Sequence, residues 1–523
     1  METIALLHKK AQAALGKGEY QQAHQYLIAL LQQDKYFADA YFLLAMIASA
    51  HQNLDKAIQL IEQAIKLSPE NAEYLAHLAK HYALKSNHTK AIELAELAAK
   101  QLPVSALTLD TIGVSYSQIG LHQEAIPFFN KAVGASPNNS SFLFNLAVSQ
   151  TFVGDFEGAR NSHEKVVSLA PDFCKSHLAL SSLGGIDNEN NHIERLTKLF
   201  PSVSNADDRL CIGHALAREY ETLGNFDKAF RYLQQAKDYK LATTDYDFSQ
   251  DKEMFSALQH AFGGVKPDAS SGYLNKEPLF VVGMPRTGTT LVERILSQHS
   301  DVTSAGELEY FALLIKRMAQ TRSPRVLDKE TVNAAGEIDF NQLGRAYIDS
   351  TRAITGKTAK FVDKMPFNVL YVGFILQALP QAKIVCLDRN PLDTIVSNFR
   401  QLFTAKTDNY NYAYGLASIT QFYVSFKELV TLWQEKFPEN FYLVNYEKLV
   451  NEPEAEARKL VEFCGLNWQT QCLNINDNSA PVATASAVQV RQPINNKSVG
   501  NWRKYQDYLD ETIQLLEKAG IGF

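Results

Sequence analysis

The chain opens with METIALLHKKAQAALGKGEY, in which apolar and polar residues alternate at helical spacing. That rhythm then recurs with a fixed period. Ala23, Ala57, Ala91, Ala125 and Ala159 fall 34 residues apart, inside the related texts GEYQQA, QNLDKA, SNHTKA, GLHQEA and GDFEGA. Twelve positions before each stands a small residue: Ala11, Ala45, Ala79, Gly113 and Ala147. Pro69, Pro103, Pro137 and Pro171 close the second to fifth units. Small side chains so placed let paired helices approach closely, and a proline stops the second helix before the next unit. In the second half the pattern changes. Four apolar runs of strand length appear: LFVV from Leu279, KFVD from Lys360, KIVCLD from Lys383 and FYLVNY from Phe441. Helical patterns separate them, which predicts crossover connections and a parallel sheet.

The 34-residue period resembles the tetratricopeptide repeat, whose unit is two antiparallel helices. The resemblance implies an all-α solenoid over residues 1–262, with about six to seven repeats and a concave face of the kind that commonly binds peptides. After Pro171 the period slips through the Gly- and Asn-rich SSLGGIDNENNHIERLTKLFPSVSNADD, and one degenerate repeat is expected near 174–209. The pattern returns in REYETLGNFDKAFRYLQQAKDYK, with Gly224, Ala229 and Ala236 in place. The histidines of the array are scattered and read as surface or packing residues. The array is expected to hold a protein or peptide partner, with a structural or oligomerising role as the alternative. FGGVKPDASSGYLNKEP then provides a linker, taken as 263–276, before a domain at 277–523.

Charge and cysteine content narrow the function classes. A net charge of −6 argues against bulk binding to nucleic acid or to an anionic membrane, although a local basic pocket for one anion is compatible with it. The five cysteines are scattered with no C-x-x-C pair, so neither a disulfide framework nor a zinc site is expected, and no metal is assigned. No run approaches the roughly 20 apolar residues of a membrane span, and the N-terminus has no continuous apolar core of a signal peptide. The expectation is a reducing cytoplasm.

In parallel sheets, ligands collect beyond the C-terminal ends of the strands, so the residues there matter most. The first strand is followed by GMPRTGTT. Gly283 and Gly288 have the spacing of a phosphate-binding loop, but Thr289 replaces its lysine, and Arg286 is the loop's cation. The amides of Thr287, Gly288, Thr289 and Thr290 stand at a helix N-terminus, where donors are unsatisfied, and the hydroxyls of Thr289 and Thr290 add to them. Without the lysine or an evident metal-binding aspartate, a diphosphate-like group fits better than a metal-bound triphosphate.

PRTGTT after an apolar strand resembles the 5′-phosphosulfate loop of sulfotransferases, and arginine at the position of Arg286 resembles the protein-tyrosine sulfotransferases. The family's second signature, an arginine and a serine eight residues later on the donor's 3′-phosphate, matches Arg389 and Ser397 in RNPLDTIVS. The resemblance implies a P-loop-like α/β sulfotransferase domain that uses 3′-phosphoadenosine 5′-phosphosulfate (PAPS) as co-substrate. It also implies site residues. Glu307, 21 residues after Arg286, takes the place of the catalytic glutamate, a base for the acceptor hydroxyl. Lys364 in DKMPF matches a lysine that neutralises the bridging oxygen as the sulfuryl group leaves, with Arg286 beside it. Tyr446 matches a tyrosine against the adenine, and VRQPINNKSVGNWRKY resembles the last nucleotide-binding loop, with Arg491 and Ser498 as ligands.

The chain also departs from that family. The family's glutamate is followed by Thr and Arg, the latter holding an acidic substrate; here Leu308 and Glu309 follow, and Glu309 stands as the alternative base. His299, at the end of the loop's helix, reads as a capping residue. The expected reaction is sulfuryl transfer to a hydroxyl, with a peptide tyrosine favoured and a glycan or small molecule open. A metabolite kinase and a non-catalytic repeat adaptor are the alternatives.

Overall fold

The computed structural model describes residues 3–85, 87–101, 104–264, 272–356, 358–403, 408–477 and 493–523. The chain divides into two compact units, Met1–Val203 and Ser204–Phe523.

In the first unit the 34-residue text folds as helix pairs: Ile4–Gly16 with Tyr20–Gln33, Ala38–Ala50 with Leu54–Leu67, Ala72–Leu84 with His88–Lys100, Ala106–Gln118 with His122–Ala135, and Ser140–Val153 with Phe156–Leu169. The periodic alanines are the packing points. Ala11, Ala23, Ala45, Ala57, Ala79, Ala125, Ala147 and Ala159 are fully buried. Gly113 fills the same place for a steric reason: a Cβ there would stand 2.6 Å from the ring of Phe129. Asn53, Asn87 and Asp155 cap second helices by accepting from the amides of Lys56, Lys90 and Gly158. Pro69, Pro137 and Pro171 lie just beyond the helix ends at Leu67, Ala135 and Leu169, while Pro103 lies outside the described residues. The degenerate stretch contains two seven-residue helices, Cys174–Leu180 and Ile193–Leu199, and Arg195 pairs with Glu164 at 2.8 Å.

The second unit begins earlier than the linker read from sequence. Ala206–Thr222 and Phe226–Ala242 form a 17-residue helix pair with Ala229 and Ala236 buried. They and the helix Phe248–Gly263 fold with the α/β region. Side chains of the pair explain this: Phe230 stacks on Tyr508 at 4.0 Å and tilts against Phe399 at 5.3 Å.

The sheet of the described residues has five parallel strands: β1 (Pro278–Gly283), β2 (Val302–Ser304), β3 (Lys360–Asp363), β4 (Lys383–Asp388) and β5 (Phe441–Asn445). Their order is β2-β3-β1-β4-β5. Four strands match the apolar runs; β2 is a three-residue strand, too short and too polar to show as a run. All six β1 residues are buried, as expected of a central parallel strand. Val281, Val385 and Val444 pack with Val292, Ile295 and Leu460 into one core. The chain leaves β1 toward β2 and β3, then returns to β4 on the other side. That reversal makes the β1–β4 crevice a topological switch point, where α/β sheets bind ligands. Among the described residues no helix is long and apolar enough to cross a membrane.

Candidate functional site

The loop after β1 is held open by its own backbone. Arg286 has φ +69° and Gly288 φ +109°, both in the left-handed region. At Gly288 no side chain fits, since a Cβ would lie 2.6 Å from the Tyr446 ring. Three bonds brace the turn. Thr287 Oγ1 donates to Met284 O at 2.7 Å, Asn398 Nδ2 to Pro285 O at 2.8 Å, and Arg389 Nη1 to Arg286 O at 2.9 Å. The helix Thr289–Ser297 starts directly after Gly288, so its N-terminus points at the loop.

A cavity of about 320 Å³ lies over this loop. Arg286, Arg389, Arg400 and Lys497 supply its cations, and Gly288, Thr290, Ser397, Tyr446 and Ser498 line it as well. Arg389 is 9 % exposed and its guanidinium lies 4.7 Å from the Tyr446 ring centre. Its Nη2 donates to Ser498 O at 2.6 Å, and its buried Nε has no hydrogen-bond partner among the described residues. Burial, together with the cations of Arg389 and Arg400, pushes Arg286 down to about 10. An anion entering here would relieve that repulsion. Asp393, the cavity's carboxylate, is engaged: Gly500 N and Trp502 N donate to it at 2.6 and 2.9 Å. Those bonds draw residues 493–502 into the cavity wall.

Beyond the far end of β3 stands an ion-pair cluster. Lys364 is 1 % exposed, and its Nζ donates to Glu307 Oε1. The same Nζ lies 3.8 Å from Glu293, which accepts from Ser304 Oγ at 2.6 Å. Main-chain bonds set the register, since Lys364 N donates to Gly306 O at 2.8 Å. The neighbouring Asp363 is wholly buried, and burial pushes it up to about 7 although Tyr347 Oη donates to it at 2.7 Å. Glu293 belongs to the helix that starts at the anion loop, so the cluster is keyed to that loop through one rigid element.

Glu307 also lines a second cavity, of about 270 Å³. Its walls are Phe367, Tyr371, Tyr410 and Phe422, with Met254, Met365 and the carboxylates of Asp251 and Glu309. Arg325 pairs with Asp251 at 2.8 Å. One cavity is cationic and the other aromatic and acidic.

The structure therefore groups most of the residues singled out from sequence. Arg286, Gly288, Thr290, Arg389, Ser397, Tyr446 and Ser498 line the cationic cavity. Thr287 and Thr289 are buried in the loop and its helix and do not line it, and Thr287 spends its hydroxyl on the turn. Glu307 faces the second cavity, with Lys364 bonded to it; Arg491 lies outside the described residues. Tyr446 sits one residue past β5, opening the helix Tyr446–Asn451, instead of within the strand. His299 is structural, its Nε2 bonded to Asn467 O at 2.8 Å and its Nδ1 accepting from Asp301 N. Sequence reasoning missed Arg400, Lys497, Trp502 and the second cavity. Arg400 had a signal, since it follows Ser397 by one helical turn and so shares its face. Tyr410 and Phe422 had none.

Known proteins agree with this architecture. Residues 278–470 match the sulfotransferase family, and residues 14–80, 108–139 and 214–243 match tetratricopeptide repeats. An uncharacterized protein of Aquifex aeolicus (strain VF5) is 32% identical over 374 residues, which cover 69% of this chain and 48% of that protein. Protein-tyrosine sulfotransferase A of Caenorhabditis elegans is 23% identical over 251 residues, 46% of this chain and 65% of that protein. Protein-tyrosine sulfotransferase 1 of Danio rerio is 25% identical over 246 residues, 43% of this chain and 65% of that protein. The chain thus spans about half the length of the Aquifex relative and just under two thirds of the two animal enzymes. It is a tetratricopeptide-repeat protein that carries a domain of the sulfotransferase family after its repeats.

Proposed function

We propose that this protein transfers a sulfuryl group from PAPS to an acceptor hydroxyl, with a protein or peptide tyrosine as the favoured acceptor. One observation carries the reading: Arg286 and Arg389, 103 positions apart in sequence, meet on a single anion-sized cavity floored by a glycine loop and a helix N-terminus. The fit to the donor is chemical. Loop amides, Thr290 and Arg286 suit the 5′-phosphosulfate. Arg389, with a free buried Nε, and Ser397 suit the 3′-phosphate, and Tyr446 offers a face to the adenine. Arg491 and Ser498 complete the donor-binding set, and no metal is needed.

The aromatic cavity receives the acceptor. Its hydroxyl oxygen attacks sulfur, the new O–S bond forms, and the S–O bond to the 5′-phosphate breaks. Glu307 takes the hydroxyl proton, and the electron pair of the broken bond leaves with 3′,5′-adenosine bisphosphate. Lys364 holds Glu307 in place and brings a cation to the side where negative charge accumulates, a role Arg286 shares. The named activity of the animal relatives supports tyrosine as acceptor. The repeats supply a surface suited to a protein partner. Cys386, Cys464 and Cys472 are buried free thiols, which favours a reducing compartment such as the cytoplasm as the place of work.

Calorimetric titration of the full chain with 3′,5′-adenosine bisphosphate, beside ADP without metal, tests the donor. Binding of the bisphosphate at least about tenfold tighter than ADP is expected, because Arg389 and Ser397 have no 3′-phosphate to meet in ADP. Equal or tighter binding of ADP would overturn the reading in favour of a nucleotide-dependent kinase.

A further inference from the structure

The last repeat pair is more than a spacer before the catalytic region. Glu221, near the end of Ala206–Thr222, reaches two walls of the cationic cavity. It accepts from Arg400 Nε at 2.7 Å and also from Arg400 Nη2, a two-point grip on an arginine that lines the cavity. Its Oε1 accepts from Tyr505 Oη at 2.6 Å. Tyr505 belongs to the 3-10 segment Asn501–Tyr508, whose first residues, Asn501 and Trp502, also line the cavity. The following helix, Phe226–Ala242, repeats the pattern. Asp227 accepts from Tyr508 Oη, and the wholly buried Lys237 donates to Ala413 O at 2.7 Å, behind the segment that carries Tyr410.

We infer that Glu221 is a positioning residue for the anion cavity, through which the last tetratricopeptide repeat sets donor affinity. The inference rests on the donor reading above. Two effects of Glu221 oppose each other. Its negative charge weakens the cavity's attraction for anions, while its grip holds Arg400 and the 501–508 wall where an anion meets them. Screening at a partly exposed rim keeps the first effect small. Releasing Arg400 frees a long side chain and loosens the tyrosine-anchored wall with it, so positioning dominates.

Two substitutions separate these effects. Glu221→Gln removes the charge and keeps an acceptor oxygen for Arg400 and Tyr505; Glu221→Ala removes both. Titration of the full-length variants with 3′,5′-adenosine bisphosphate is expected to show the alanine variant about tenfold weaker and the glutamine variant within about threefold of the parent. In turnover the alanine variant should raise the donor KM more than it lowers kcat, a split that general loss of fold does not give. Tighter binding in both variants would make Glu221 a mere counter-charge, and unchanged binding would make it a surface acid; either overturns the inference. If the alanine variant fails to fold, Tyr505→Phe decides. It keeps the ring that packs near Phe226 and Phe230 and removes only the hydroxyl. Weaker bisphosphate binding by about threefold supports the inference, and unchanged binding overturns it. Should the parent bind ADP and not the bisphosphate, the donor reading fails, while the same variants titrated with ADP still test Glu221. A parent that binds neither ligand overturns both.

Discussion

The two cavities of the second unit are built on opposite principles. The cationic one is made of backbone and a fixed guanidinium: a glycine loop, a helix N-terminus, and Arg389 locked on the carbonyls of Arg286 and Ser498. The other is made of rings and carboxylates carried by the helices Phe248–Gly263 and Leu416–Lys436, the 3-10 segments Pro366–Tyr371 and Asp408–Tyr414, and the loop of Glu307 and Glu309. A group of unvarying charge is best met by groups that do not move, since their reorganisation costs nothing at the moment of reaction. A hydroxyl on a larger partner is met instead by shape and apolar surface, with one acid placed for its proton. The Lys364–Glu307 pair couples the two, because Lys364 also approaches Glu293 on the anion-loop helix.

The sharpest way to break this division is at the proposed base. Glu307→Gln should leave bisphosphate affinity unchanged and lower turnover by roughly 100-fold or more. Retained turnover would move the base to Glu309. Next comes the fixed cation. Arg389→Ala, which removes a charged group with bonds to two cavity walls, should weaken bisphosphate binding by about 30-fold at constant acceptor KM. An equal loss in both parameters would mean the cavities are not separate. A smaller effect is expected on the aromatic side. Tyr410→Ala should raise acceptor KM by about fivefold and spare bisphosphate affinity, since the ring contributes packing area only. The last is an effect on stability, separate from binding and turnover. Asp363 titrates near 7 when folded against an ordinary value near 4, so between these pH values the folded chain binds more protons than the unfolded one. Its contribution to stability therefore falls as pH rises from about 4 to 7, by at most about 1.4 kcal/mol per pH unit. Asp363→Asn should flatten that slope in denaturant titrations at several pH values; an unaltered slope would mean that the carboxyl titrates normally.

What could be read from the chain divides along the same line as the cavities. The anion loop was legible because its chemistry is local: a strand, two glycines and a helix start lie within a dozen residues, and backbone sterics alone dictate the turn. Arg389 and Ser397 were legible because one strand end and the turns after it place both. Arg400 was not read, although it stands one turn beyond Ser397, because it lies outside the arginine–serine signature and the fold brings it to the cavity, gripped by Glu221 from 179 positions away. β2 escaped because a strand of three residues leaves no apolar run to find. The aromatic cavity escaped entirely, since Phe367, Tyr410 and Phe422 are scattered in the chain and only the fold gathers them around one space.

The sequence by itself determined the elements. A period of 34 residues with small side chains at two places specifies helix pairs, and four apolar runs separated by helical patterns specify a parallel sheet, because each depends on interactions within a few turns or a single strand. Tertiary structure decided allegiance. The last repeat has the text of its predecessors, yet folds with the sheet, because Phe230, Lys237 and Glu221 find partners at Tyr508, Ala413 and Arg400. Periodicity records only that a helix has a buried stripe. It does not record which surface covers that stripe, and that choice is made by contacts between residues far apart in the chain.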